Sequence, residues 1–171
     1  MCKVMCMSLV DVVLSRRSIR RYETKDIPRD ALDKILEAGR QAPSASNRQP
    51  FHLIVLTDEE IKKELSTGLW NKFVKDSPLA VVGCARTADI HDSKWSVVDT
   101  SIALQNMVIA AWAMGIGSCW IGDFEEEKVK QRLNISDGWK VVALITFGYP
   151  AEQPHPRSKK PLEELVGYNK F

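Results

Sequence analysis

This chain of 171 residues has little of what signals a function directly, and each shortage excludes something. Its charge is nearly balanced, with 24 Lys and Arg against 22 Asp and Glu for a net +2. That is too little for a broad nucleic-acid field. Four cysteines make no disulfide framework in a chain this size: Cys84 and Cys119 sit in apolar runs and read as small buried hydrophobes. Cys2 and Cys6 form C-x3-C with no further ligand at metal spacing, and His52, His91 and His155 match no zinc pattern. No metal is expected. "MCKVMCMSLVD" is mildly apolar but stops at Asp11 without a cleavage site, which suits neither a signal peptide nor a membrane span. The longest apolar stretch, 97–114, is broken by Asp99, Thr100, Ser101, Gln105 and Asn106, as in a core helix. A cytoplasmic protein without membrane contact is expected.

What is present reads as a single domain over 1–171, with 1–7 as an N-terminal extension. Ser8 and Asp11 start a helix over 9–17, and 21–28 is an extended link. Leu32, Ile35 and Leu36 share one face of a second helix that starts near Pro28. "PSASNRQP" (43–50) is a loop, "FHLIVLT" a strand, and "DEEIKKEL" a helix capped by Thr57 or Asp58. A buried strand at 79–85, an irregular segment at 86–95 and the helix at 97–114 follow. "GIGSCWIGDF" (115–124) is a strand or loop, Asp123 caps a surface helix, and 139–149 is a strong buried strand. The Pro-rich tail ends in a short helix from Pro161 to about Gly167.

Alternating helices and strands point to a parallel doubly wound sheet. Yet "FHLIVLTDEEI" has no glycine, so the phosphate turn of a dinucleotide-binding fold is missing.

Four stretches carry candidate chemistry, each with a plainer alternative. Arg16, Arg17, Arg20 and Arg21 surround Ser18 within six positions, a donor set suited to one phosphate, or simply a basic helix end. "APSASNRQPF" presents Ser44, Ser46, Asn47 and Gln49 between two prolines, suited to a polyol or heterocycle edge, or an ordinary turn. "GIGSCWIGDF" lets backbone N–H groups approach a flat ligand beside Trp120, or is a Gly-rich strand corner. "RSKKP" is a second cationic spot, or mere surface. Together they form the parts of a flavin mononucleotide (FMN) site.

In order, "RRSIRRYETKDIP", "APSASNRQPFHLIVL", "DTSIALQNMVIAAWAMGIGSCWIGDF", "VVALITFGYP" and "KKPLEELV" resemble the landmarks of the FMN-dependent nitroreductase family over roughly residues 9–168. The resemblance implies an α+β, nitroreductase-like fold in place of the doubly wound one. A mostly antiparallel central sheet is flanked by helices in an interlocked homodimer, with helix 97–114 at its centre. It implies FMN at the subunit interface, NADH or NADPH as electron donor, and a small-molecule acceptor. Arg16, Arg17 and Ser18 would hold the phosphate and nearby ribityl oxygens, and Arg20 the pyrimidine edge, where a fixed guanidinium stabilises the reduced ring's negative charge. Lys159 and Lys160 match a second phosphate clamp. Pro43, Ser44 and Asn47, with Gln49 behind them, match a loop given by the partner subunit. Ile121 and Gly122 match the segment whose N–H reaches flavin N5, and Asn71 the pyrimidine edge. No side chain is expected to be catalytic in its own right, since flavin N5 carries the hydride.

Two departures bear on substrate. Only about a dozen residues separate "VVGCA" from helix 97–114, as in compact members, so a lid must come from 66–76 or 86–96. Asp123 stands where glycine is frequent, and either caps the following helix or faces the ring. The implied reaction is ping-pong hydride transfer from NAD(P)H to a nitroaromatic, a quinone or a related acceptor. Dehalogenation, enone or peptide redox, flavin fragmentation and non-catalytic flavin binding remain open on the same scaffold.

Overall fold

The structure, a computed structural model, describes residues 8–88 and 90–171, with backbone alone at 90–93. The expected extension 1–7, with Cys2 and Cys6, lies outside the described residues. Helix α1 (Leu9–Ser15) starts at a reciprocal cap, in which Ser8 Oγ accepts from the Asp11 N–H and Asp11 Oδ2 accepts from the Ser8 N–H. It ends at Ser15 rather than at Arg17, because Arg16 turns extended with ψ 136°. Helix α2 (Arg29–Arg40) buries Ile35 and Gly39. Strand β1 (Phe51–Leu56) leads into α3 (Glu59–Glu64), whose cap is Asp58, accepting from the Ile61 N–H at 2.9 Å.

The remaining elements are β2 (Leu79–Arg86), α4 (Ile90–Ala113), β3 (Gly117–Ile121), α5 (Glu126–Leu133) and β4 (Trp139–Gly148). The sheet order is β1-β2-β4-β3 and every neighbouring pair is antiparallel. The doubly wound expectation is therefore wrong and the α+β one holds. Alternation along the chain does not require a right-handed crossover: α3 and a 3-10 turn at Lys72–Asp76 bring β2 back beside β1 in the opposite direction.

Side chains alternate across the sheet with the strand period of two. Leu79 and Val81 of β2 join Ala143, Ile145 and Phe147 of β4 beneath α2 and α4. Ala80, Val82 and Cys84 face the other way, with Leu144, Val74 and Val129. Gly83 pairs with Ala143 but Cys84 pairs with Val141, so β4 carries one extra residue, Val142. That bulge brings Val141 onto the Leu144 face, which strict alternation would not do.

Two further element boundaries differ from expectation. Helix α4 begins at Ile90, so most of the segment read as irregular is helical. Extending a nucleated helix is cheap, and no Pro or Gly interrupts 90–97. The C-terminal helix shrinks to a 3-10 turn at Leu162–Glu164, where Leu162, Leu165 and Val166 are largely exposed and so short a segment gains little from burial.

Candidate functional site

After α1 the chain runs alongside β3. Ser18 bridges to Ser118, and the Ile19 N–H donates to the Ser118 carbonyl at 2.9 Å. Ile19 is buried, and the residues on either side of it turn outward. Glu152 fixes the next step: Oε1 accepts from the N–H groups of Arg20 (2.6 Å) and Arg21 (3.1 Å), and Oε2 accepts from Arg21 Nε (3.2 Å). Burial raises the Glu152 carboxyl, but these donors outweigh it and leave its pKa below the ordinary value.

The four arginines therefore divide. Arg21 is spent on Glu152. Arg17 Nη1 donates to the carbonyls of Leu14 (3.1 Å), Ser15 (2.9 Å) and Arg16 (2.9 Å), closing the C-terminal end of α1. The guanidinium groups of Arg16 and Arg20 have no hydrogen-bond or ion-pair partner among the described residues, and both residues line a cleft of about 350 Å³. Its other wall comes from the tail, 154–157 and Lys159. Arg157 and Lys159 are also without partners there. Lys160 does not line this cleft; its Nζ lies 3.8 Å from Glu164.

A neighbouring cleft of about 460 Å³ shares Arg20 and Arg157 with the first. Residues 119–123 at the end of β3 line it, with Trp70 and Phe73 opposite. A Cβ added at Gly122 would meet nothing within 4 Å, so the backbone here borders open space. Trp120 Nε1 donates to Gln105 Oε1 at 3.1 Å, which anchors that indole to α4. Cys119 is buried behind this wall, and burial raises its thiol pKa. A larger cavity of about 780 Å³ lies across Arg17, but it carries the carboxylates Glu23 and Glu152. It is the poorer site for an anion.

Asp123 is not the cap of α5. Glu125 holds that position, and Asp123 Oδ2 instead accepts from the Trp70 N–H at 2.6 Å. Asn71 is fully buried and its amide is occupied: Nδ2 donates to the carbonyls of Leu65 and Asp123, both at 2.8 Å, and Oδ1 accepts from the Gly68 N–H. Its role in this structure is to fix the 65–71 loop, not to present a free amide to the cleft.

The 43–49 loop stands apart and lines neither cleft. Ser46, Asn47 and Gln49 all have positive φ (52°, 55° and 52°), a costly conformation for residues other than glycine. Buried Asp99 holds the loop by accepting from the Ala45 N–H, and Ser44 Oγ accepts from the Gln49 N–H. Pro43, Ser44, Asn47 and Gln49 thus share a rigid loop that this chain does not fold onto its own cleft.

Sequence reasoning missed Arg157, although it is the first residue of the "RSKKP" run. The two lysines drew attention by adjacency, whereas the extended tail carries Arg157 to the junction of the clefts. Among the described residues no group of three or more His, Cys, Asp and Glu side chains suits a metal ion, and no helix is long and apolar enough to cross a membrane.

The antiparallel α+β fold thus carries a cationic cleft that shares Arg20 and Arg157 with an aromatic one, a lining suited to an anion joined to a flat ring. The family described as "Nitroreductase family" matches residues 13–85 and 66–149. A nitroreductase family protein from Clostridium novyi NT is similar at 34% identity and TM-score 0.79, over 85% of this chain and 87% of that one. An FMN-dependent nitroreductase from Clostridium difficile R20291 gives 28% identity and TM-score 0.84, over 95% and 99%. An FMN reductase (NADPH) from Bacillus subtilis is 26% identical over 183 residues, 95% of this chain and 74% of its own. The chain belongs to the nitroreductase family.

Proposed function

We propose that this chain is an FMN-dependent NAD(P)H oxidoreductase that passes hydride to an electron-poor acceptor such as a nitroaromatic or a quinone. The observation that carries the reading is the junction of the two clefts at Arg20 and Arg157. On one side stand partnerless cations, and on the other an aromatic wall beside bare backbone at Gly122. The donor set suits FMN, a dianionic phosphate joined to a flat heterocycle.

Arg16, Ser18, Arg157 and Lys159 would hold the phosphate, with Arg17 behind them stiffening the end of α1. Lys160 adds charge from farther out. Arg20 would stand at the junction and place a guanidinium toward the ring, where preorganised positive charge favours electron uptake. Ile121 and Gly122 would offer backbone to the ring edge, and Asn71 would act through the 65–71 loop. Bound FMN supplies hydride acceptance and donation at N5. The protein binds, orients and excludes water, and no side chain need move a proton.

A homodimer completes the reading. Leu9, Val10, Val13 and Leu14 of α1 are exposed, as are Leu162, Leu165, Tyr168 and Phe171 of the tail. So much apolar surface on two terminal segments suits burial against a second copy. The 43–49 loop would then bring Pro43, Ser44, Asn47 and Gln49 to the partner's FMN.

The test is an absorbance spectrum from 300 to 550 nm with the released chromophore weighed, followed by anaerobic NADH and NADPH. FMN near one per chain, bleaching by the nicotinamide and parallel double-reciprocal lines for donor and quinone are expected. A colourless chain that refuses added FMN would overturn the reading, and flavin that no nicotinamide bleaches would reduce it to a flavin-binding protein.

A further inference from the structure

We propose that Asp123 is a positioning residue that sets acceptor selectivity by fixing Trp70 at the mouth of the ring cleft. The proposal rests on the flavin reading above and adds what admits the acceptor. The segment 65–71 has no helix or strand of its own, yet four hydrogen bonds fold it tightly. Two of them end on Asp123: the Trp70 N–H on Oδ2 at 2.6 Å and the Asn71 amide on the carbonyl at 2.8 Å. The carboxylate lies tight under the loop, for a Cβ at Gly68 would come within 2.5 Å of Oδ2. Glycine at 68 and aspartate at 123 are thus one feature.

The consequence is an exposed indole on a pinned backbone. Trp70 is 79% exposed and lines the same cleft as Trp120, Phe73 and Gly122. Asp123 anchors Trp70 through its N–H, as Gln105 anchors Trp120 through its ring nitrogen. A cleft bounded by the anchored Trp120 indole and by the Trp70 indole on its pinned backbone favours a flat, electron-poor ring, since aromatic faces attract such rings beyond their buried area. Arg20 and Arg157 line the same cleft, so the Asp123 charge lessens its pull on an anionic acceptor without reversing it. The class selected is a neutral planar ring ahead of compact anions.

The variants are Asp123→Ala, Asp123→Asn, which keeps an acceptor oxygen for the Trp70 N–H, and Trp70→Ala. Each is purified as the full chain and its flavin content and rate of anaerobic NADH bleaching are measured first. KM and kcat are then taken with menadione, a neutral planar quinone, and with ferricyanide, a compact anion. Amide hydrogen exchange over 66–72 is followed without turnover.

Asp123→Ala and Trp70→Ala should each raise KM for menadione about tenfold, more than either changes the NADH bleaching rate. Asp123→Asn should hold it within about twofold of wild type. Ferricyanide should improve in both Asp123 variants, which lose the charge, and not in Trp70→Ala. The Gly68 and Trp70 amides should be protected in wild type and Asp123→Asn, and the Trp70 amide should exchange freely in Asp123→Ala. Unprotected amides in wild type, or an unchanged menadione KM in Trp70→Ala with full flavin, would overturn the proposal. Should Asp123→Ala fail to fold, Trp70→Ala and Asp123→Asn decide it alone. A wild-type chain that takes up no FMN would instead bring down the flavin reading beneath it.

Discussion

The Arg20 N–H donates to Glu152 Oε1 at 2.6 Å, and this bond lets the tail of the chain decide where the arginine segment presents its charges. Glu152 does not touch the clefts that carry the proposed FMN site, yet it holds the backbone from which Arg20 enters both. Glu152→Ala should therefore weaken FMN binding on the order of tenfold, while Glu152→Gln, which still accepts from the two N–H groups, should lose less. Flavin fluorescence quenching on titration measures both. Equal, wild-type affinity in the two variants would show that the tail does not position Arg20.

The same carboxylate gives a pH dependence with a definite sign. Its folded pKa is depressed, so its contribution to stability is present above the ordinary glutamate range, near 4.5, and disappears as pH falls through the lower folded value. Wild type should lose melting temperature on acidification below about pH 4.5 more steeply than Glu152→Gln. Parallel curves would mean that the bonds are as good with the neutral acid.

Among the cationic residues, loss of affinity should follow freedom from other partners. Arg20→Ala and Arg157→Ala should each weaken FMN by roughly 10- to 100-fold, as charge-assisted hydrogen bonds do, and less at high salt. Arg21→Ala should change affinity little, since that guanidinium is turned to Glu152. Arg17→Ala should lower melting temperature more than affinity, because its donors already serve the end of α1. Titrations at low and high ionic strength separate these cases.

How far the sequence disclosed this arrangement differs by residue. Short apolar runs marked β1, β2 and β4, and the cap at Ser8 marked α1, because those signals are local. Direction and order of strands were not legible, since they depend on which surfaces the linking segments bury. The arginine cluster was visible as a cluster, but not that two of its members are consumed by Leu14–Arg16 carbonyls and by Glu152, more than a hundred residues away. Asp123 looked like a helix cap because it precedes α5. Its actual partner, the Trp70 N–H, is distant in sequence and carries no side-chain signature.

At Gly83 the sheet comes close against Leu104 of α4. A Cβ there would fall 2.6 Å from Leu104 Cδ1 and 3.0 Å from Cγ, and Leu104 is itself fully buried. Gly83→Ala should cost about 1–3 kcal/mol by overpacking, a fall of several degrees in melting temperature for a chain of this size. Leu104→Ala made in the Gly83→Ala background should cost less than Leu104→Ala alone, because the new methyl fills part of the space. Additive costs in that double-variant cycle would place the strain elsewhere.

Two buried serines should respond oppositely to loss of the hydroxyl. Ser118 Oγ, on β3 behind the ring cleft, is buried with no hydrogen-bond partner among the described residues. Ser77 Oγ is buried too, but donates to the Val74 carbonyl at 2.7 Å, where the 3-10 turn ends. Removing an unpaired buried hydroxyl relieves a desolvation cost, whereas removing a paired one loses the bond, here leaving the Val74 carbonyl with the Ser77 N–H alone. Ser118→Ala should therefore be neutral or stabilising by up to about 1 kcal/mol, and Ser77→Ala should destabilise by about 1 kcal/mol. Urea unfolding of the two variants beside wild type measures both. A Ser118→Ala protein as destabilised as Ser77→Ala would mean that the β3 hydroxyl is bonded in solution, and that the wall behind the ring cleft is more polar than its packing shows.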